Sequence, residues 1–134
     1  CIELDLRNKI TFHGKIKSDE FKNNFLQNSD IFLMPTFQDK LSIEGFGITY
    51  IEAASFGIPS IAGILGGAPE AVKNKRTGWC VDPNNQDLLF DVLERALVNT
   101  KERRQLGNNA LKRFEAELNG EKAIKKLSKI IGVK

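Results

Sequence analysis

Several residue types that would mark particular chemistries are scarce or absent. The 134 residues include two cysteines, one histidine, one methionine, one tryptophan and one tyrosine. Cys1 and Cys80 lie 79 positions apart and match no metal-binding or redox spacing. The single histidine, His13, has no serine or cysteine partner that sequence places beside it, so a nucleophilic triad has no support. Its plain reading is a residue at a strand end near solvent. The glycines spell neither G-x-G-x-x-G nor G-x-x-x-x-G-K-[ST], which removes the dinucleotide and P-loop fingerprints. Acid pairs at metal-ligand spacing are missing, and no apolar run approaches the roughly 18 residues of a membrane span. Few cysteines and no signal-like start point to a reducing, cytoplasmic setting.

What is present suits one packed domain. Hydrophobic residues make up 41% of the chain and charged residues 28%, enough for a core and against wholesale disorder. The net charge of +3 is no argument for nucleic acid. It is unevenly spread: residues 1–100 hold 10 basic and 13 acidic side chains, residues 101–134 hold 10 and 4. The chain begins at Cys1 inside a hydrophilic stretch (Glu3, Asp5, Arg7, Lys9) and reads as a piece of something longer.

Short apolar runs alternate with helical patterns, as in a parallel α/β sheet. Strands are expected at Ile10–His13, Ile31–Met34, Pro59–Ala62 and Thr77–Val81, each bounded by glycine, proline or aspartate. Ser18 is a candidate N-cap, with Asp19 and Glu20 in the first turn and Phe21, Phe25 and Leu26 at helical spacing. Ile48, Ile51, Ala54 and Ser55 mark a second helix that Gly57 ends in the left-handed position. Pro69 opens a short helix over about 68–73. Beyond residue 85 three apolar stripes follow: Leu88, Leu89, Val92, Leu93, Ala96 and Leu97; then Leu106, Ala110, Leu111, Phe114 and Leu118; then Ile124, Leu127, Ile130 and Ile131. Lys122, Lys125, Lys126 and Lys129 accompany the last. That stripe suits a docking helix with a solvated basic face, or a peripheral contact with an anionic membrane surface.

The informative stretch is Glu44–Glu52, where Gly45 and Gly47 bracket Phe46 as a loop becomes a helix. A helix start offers free N–H groups and partial positive charge to a phosphate, and Gly47 lets a ligand approach the backbone. Started near Phe46, the helix carries Glu52 about two turns in, roughly 9 Å along its axis. Two carboxylates flanking such a site repel phosphate but accept hydroxyls, a sugar at one end and a ribose at the other. The alternative is an acidic first turn followed by a solvated Glu52.

This run, Glu44-x7-Glu52 with Gly45-Phe46-Gly47 inside and Ala53–Pro59 after it, closely resembles the C-terminal domain of retaining glycosyltransferases of family four, which have the GT-B fold. The likeness continues through Gly66-Gly67-Ala68-Pro69-Glu70-Ala71-Val72, Thr77-Gly78 and Val81-Asp82-Pro83. Upstream, Phe12-x-Gly14 and Asp30–Pro35 fit the two preceding strands; in all it covers about residues 10–98. The fold it implies is α/β, a Rossmann-like parallel sheet with helices on both faces. Residues 1–98 then form a donor-binding domain lacking its first strands, and 99–134 its C-terminal helices.

The resemblance implies roles residue by residue. Glu44 looks like the catalytic-site acid that binds hydroxyls of the donor hexose. The amides of Phe46, Gly47 and Ile48 would face sugar and diphosphate, and Glu52 would hold the ribose hydroxyls. Backbone at Gly14 and Lys15 would contact the base, with Gly66 and Gly67 as weaker loop candidates whose other reading is a tight turn. Such enzymes transfer a hexose from a nucleotide-diphosphate sugar to a hydroxyl of a glycan or lipid-linked acceptor with retention, and need no metal or other cofactor. The segments 42–48 and 66–70 look most like the phosphatidylinositol mannosyltransferase branch, which favours GDP-mannose over a UDP-sugar. The family's diphosphate-gripping Arg and Lys and its N-terminal acceptor domain lie upstream of the positions matched here, so the isolated chain is expected to be inactive in transfer. The alternatives are a non-catalytic nucleotide-sugar binding module and a related epimerase or phosphorylase. In the family layout two further strands stand between Ile10–His13 and Ile31–Met34. Three expectations follow: another chain fills the gap, the first strand re-pairs directly beside Ile31–Met34, or the chain is a fragment.

Overall fold

The computed structural model describes residues 6, 8–36 and 47–120. Among these the order is α1 (Asp19–Gln27), β1 (Phe32–Met34), α2 (Ile48–Ser55), β2 (Ser60–Gly63), α3 (Ala68–Ala71), β3 (Gly78–Val81), α4 (Gln86–Val98) and α5 (Thr100–Arg113), with a π-helical turn over Phe114–Leu118. Ser18 caps α1 as expected, its hydroxyl accepting the Phe21 N–H at 3.2 Å. Asn99 ends α4 and begins α5, and its side chain accepts the Glu102 N–H at 3.1 Å. Glu102 in turn takes both arms of Arg95, at 2.7 and 2.8 Å, which clamps the two helices at their junction.

The three strands are parallel in the order β1-β2-β3, with Met34 beside Ala62 and Ala62 beside Cys80. Side chains alternate across such a sheet, and here both faces are covered. Phe32, Met34, Ala62 and Cys80 pack with Tyr50, Ala68, Ala71 and Val72 beneath α2 and α3. Ile61, Trp79 and Val81 pack on the other side with Val92, Ala96 and Leu106 beneath α4 and α5. Ile61 and Val81 are fully buried, and each such side chain contributes about 1.5–3 kcal/mol through the area it removes from water. The chain is thus an α/β, Rossmann-like fold.

The expected strand at Ile10–His13 does not form. Residues 10–13 carry no strand pairing and are exposed, with Phe12 84% accessible. A β-branched run becomes a strand only where an edge receives it. On the described residues β1 pairs with β2 alone, so re-pairing beside β1 does not occur. Other boundaries shift by a residue or two, and the Pro69 helix closes at Ala71 rather than 73. Leu88 and Leu97 of the α4 stripe face solvent. The third stripe, with its lysines, lies outside the described residues, and among those described no helix is long and apolar enough to cross a membrane.

Cys80 shows what this packing does to a thiol. Its Sγ donates to the Val72 carbonyl at 3.3 Å, and burial raises its pKa against the opposing pull of the Lys73 charge. The thiolate is the nucleophile, so Cys80 is expected to react sluggishly at neutral pH. In a Cys1→Ser protein, iodoacetamide should label it far more slowly than free cysteine; equal rates by mass spectrometry would contradict the burial.

Candidate functional site

Parallel α/β sheets bind ligands at the carboxyl ends of their strands. Here β1 and β2 end side by side, so close that a Cβ on Gly63 would lie 2.8 Å from the Thr36 carbonyl. α2 and α3 both start from this edge. Gly47 caps α2 with φ +70°, and a Cβ there would fall 2.4 Å from Cδ2 of Tyr50. Backbone conformation and space both therefore demand glycine. Beyond it the amides of Ile48 and Thr49 are the first of the helix and have no intrahelical acceptor, at the positive end of the helix dipole. Tyr50 holds that end in place: its hydroxyl donates to the Met34 carbonyl and its ring meets Phe32 edge-on at 5.7 Å.

Because α2 starts at Ile48 rather than Phe46, Glu52 stands about one turn in, roughly 6 Å along the axis rather than two turns. Its Oε1 accepts from Lys22 Nζ at 2.7 Å, both side chains being 32% exposed. Lys22 also reaches Asp19 at 3.1 Å. The Glu52 hydrogen bond, with that to Asp19 second, raises the Lys22 pKa above the ordinary lysine value. Glu52 Oε2 makes no hydrogen bond among the described residues.

Of the other expected positions, Gly66 (φ +64°) and Gly67 follow β2 on this same edge, Gly67 capping the four-residue α3. Gly14 (φ +62°) and Lys15 are exposed. They follow His13, whose ring lies 5.5 Å from that of Phe21 and 5.2 Å from that of Phe25. This segment thus rests on α1, the helix that sends Lys22 to Glu52. Glu44 and Phe46 lie outside the described residues. Sequence reasoning missed Lys22 and Tyr50. A pair 30 positions apart leaves no local trace, and Tyr50 reads as one more apolar residue of its helix.

The model of a known family matches residues 1–113, under the description "Glycosyl transferases group 1". The chain belongs to that family. A GDP-mannose-dependent alpha-(1-6)-phosphatidylinositol monomannoside mannosyltransferase of Mycobacterium tuberculosis is 37% identical over 92 residues, 67% of this chain and 24% of the relative. A GDP-mannose-dependent monoacylated alpha-(1-6)-phosphatidylinositol monomannoside mannosyltransferase of Corynebacterium glutamicum is 35% identical over 132 residues, 97% of this chain and 34% of the relative. Among solved structures, a sucrose-phosphate synthase of Thermosynechococcus elongatus superposes with a TM-score of 0.82 at 26% identity, over 97% of this chain and 31% of that one. The chain therefore spans about a quarter to a third of the length of these two relatives. Its fold is that of the C-terminal domain of a GT-B glycosyltransferase.

Proposed function

We infer that this chain is the donor-binding part of a retaining hexosyltransferase that takes its sugar from a nucleotide-diphosphate donor, GDP-mannose before a UDP-sugar, and passes it to a hydroxyl of a glycan or lipid-linked acceptor. The observation that carries the reading is the pairing of a glycine-capped helix start with a half-buried carboxylate one turn further on. The first amides of α2 suit the diphosphate, and Glu52 suits the vicinal hydroxyls of a ribose. The GDP-mannose-dependent relatives favour that donor and a lipid-linked acceptor. In this reading Glu44 and the Phe46 amide meet the hexose, Gly14 and Lys15 border the base, and the departing phosphate helps deprotonate the acceptor. Catalysis is then positioning and stabilisation of diphosphate charge, without a metal.

The test separates sugar from nucleotide. In the whole protein, Glu44→Ala is expected to leave calorimetric affinity for GDP unchanged and to weaken that for GDP-mannose by about tenfold, the loss of one charged hydrogen bond. Equal losses for both ligands would put Glu44 at the nucleotide instead. Transfer from a UDP-sugar at rates that GDP-mannose does not match would reverse the donor preference.

A further inference from the structure

The opposite end of the sheet, where β3 starts, holds a cleft. It lies where the turn over residues 73–77 enters β3 and meets α5. Gly47 and Gly66 stand past the other ends of the strands, four residues or roughly 13 Å away along them. The cleft has a volume of about 310 Å³, and Lys73, Arg76, Lys112 and Arg113 bring four cations to its lining, against one carboxylate, Glu117.

Its walls are built rather than incidental. Arg113 donates to the carbonyls of Ala71 at 2.6 Å and Glu70 at 2.8 Å, and to Glu117 at 3.0 Å. The Asn109 amide donates to the Arg76 carbonyl at 3.0 Å, tying α5 to the turn. The turn itself is closed by the Lys75 N–H on the Gly78 carbonyl at 2.8 Å, with Lys75 at φ +58°.

Within these walls several donors are uncommitted. The guanidinium of Arg76 and the ammonium of Lys112 make no hydrogen bond or ion pair among the described residues, and Lys73 Nζ has only the Pro69 carbonyl at 3.3 Å. Thr77 is 8% exposed and lines the cleft. Its Oγ1 accepts the Lys73 N–H at 2.9 Å, which leaves the hydroxyl's own hydrogen without an acceptor among the described residues. A shallower hollow of about 600 Å³ adjoins the cleft through Asn109 and Lys112 and adds Lys101 and Arg104.

We propose that this cleft binds a phosphate-bearing anion at a site separate from the edge where α2 begins. Free cations and a buried hydroxyl donor line a space large enough for phosphate groups, and arginine is the side chain suited to grip them. The phosphate belongs either to a soluble compound or to a lipid headgroup whose neighbours lie over Lys101 and Arg104.

Inorganic pyrophosphate is the probe for the first source, and vesicles of phosphatidylinositol in phosphatidylcholine, against phosphatidylcholine alone, for the second. With the full chain, calorimetry should show saturable pyrophosphate binding that weakens with salt. Arg76→Glu with Lys112→Glu should weaken it at least tenfold. Lys9→Glu with Lys17→Glu, the same charge change away from the cleft, should leave it intact. Glu117→Gln should tighten it severalfold. Thermal melts of each variant separate lost binding from lost folding. Vesicle binding that falls with the same pair of reversals assigns the site to headgroups, and pyrophosphate binding without vesicle binding assigns it to a soluble ligand. Saturable binding of neither probe, or equal loss in both double variants, would overturn the proposal.

Discussion

Gly107→Ala is expected to lower the melting midpoint of the chain by roughly 5–10 °C, although alanine is the better helix former. Gly107 sits inside α5 and is buried. A Cβ added there would lie 2.1 Å from the Gly57 carbonyl oxygen, 3.1 Å from its carbon and 3.1 Å from Cδ of Pro59. Two of these obstacles are backbone, and the third belongs to a ring of fixed geometry. None swings aside as a long side chain would. Gly57 is itself held at φ +71°, with its N–H on the Ala54 carbonyl at 3.0 Å. Helix propensity alone would make the alanine variant about 0.5–1 kcal/mol more stable, whereas overpacking a tight contact costs about 1–3 kcal/mol and sometimes more. The two effects differ in sign, so the direction of the shift decides between them. Gly120→Ala is the control, because nothing lies within 4 Å of a Cβ there. A Gly107→Ala midpoint equal to or above the parent's would show that α5 moves off the Gly57 turn at little cost.

These two glycines also show what a sequence discloses. Gly57 announces itself as a helix terminator because the signal is local: an apolar helix pattern, a glycine, then Pro59. Gly107 sits in a good helical stretch, and its reason for being glycine is a backbone 50 positions away. The same divide runs through the rest of the fold. The runs at 31–34, 59–62 and 77–81 are legible as strands because β-branched and aromatic residues stop at proline, glycine or aspartate. Residues 10–13 carry the same local signal, yet no strand among the described residues receives them, and pairing is not a local property. At the candidate site, Gly47 and Glu52 follow from a helix start, which local chemistry dictates. Lys22, which holds Glu52, does not, since only the packing of α1 beside α2 brings it there.

The nucleotide part of the proposed site makes the sharpest demand on Glu52. Replacing it by alanine in the whole protein is expected to raise the Kd for a nucleoside diphosphate by tenfold or more, since a charged hydrogen bond to a ligand is worth about 1.5–3 kcal/mol. Lys22 takes one carboxylate oxygen at 2.7 Å, which fixes the side chain before any ligand arrives and leaves Oε2 for a hydroxyl. Lys22→Ala is accordingly expected to weaken binding only severalfold, through lost orientation rather than a lost contact. The role at the ribose is isolated by a second ligand, the 2′,3′-dideoxy nucleoside diphosphate. The parent should bind it at least tenfold more weakly than the ribose form, because a carboxylate oriented for hydroxyls is left without them. The Glu52→Ala protein should bind the two alike. Unchanged affinity for the ribose form in Glu52→Ala would remove Glu52 from the site. A penalty for the missing hydroxyls that survives in Glu52→Ala would keep the nucleotide at this edge but hand its ribose to another group.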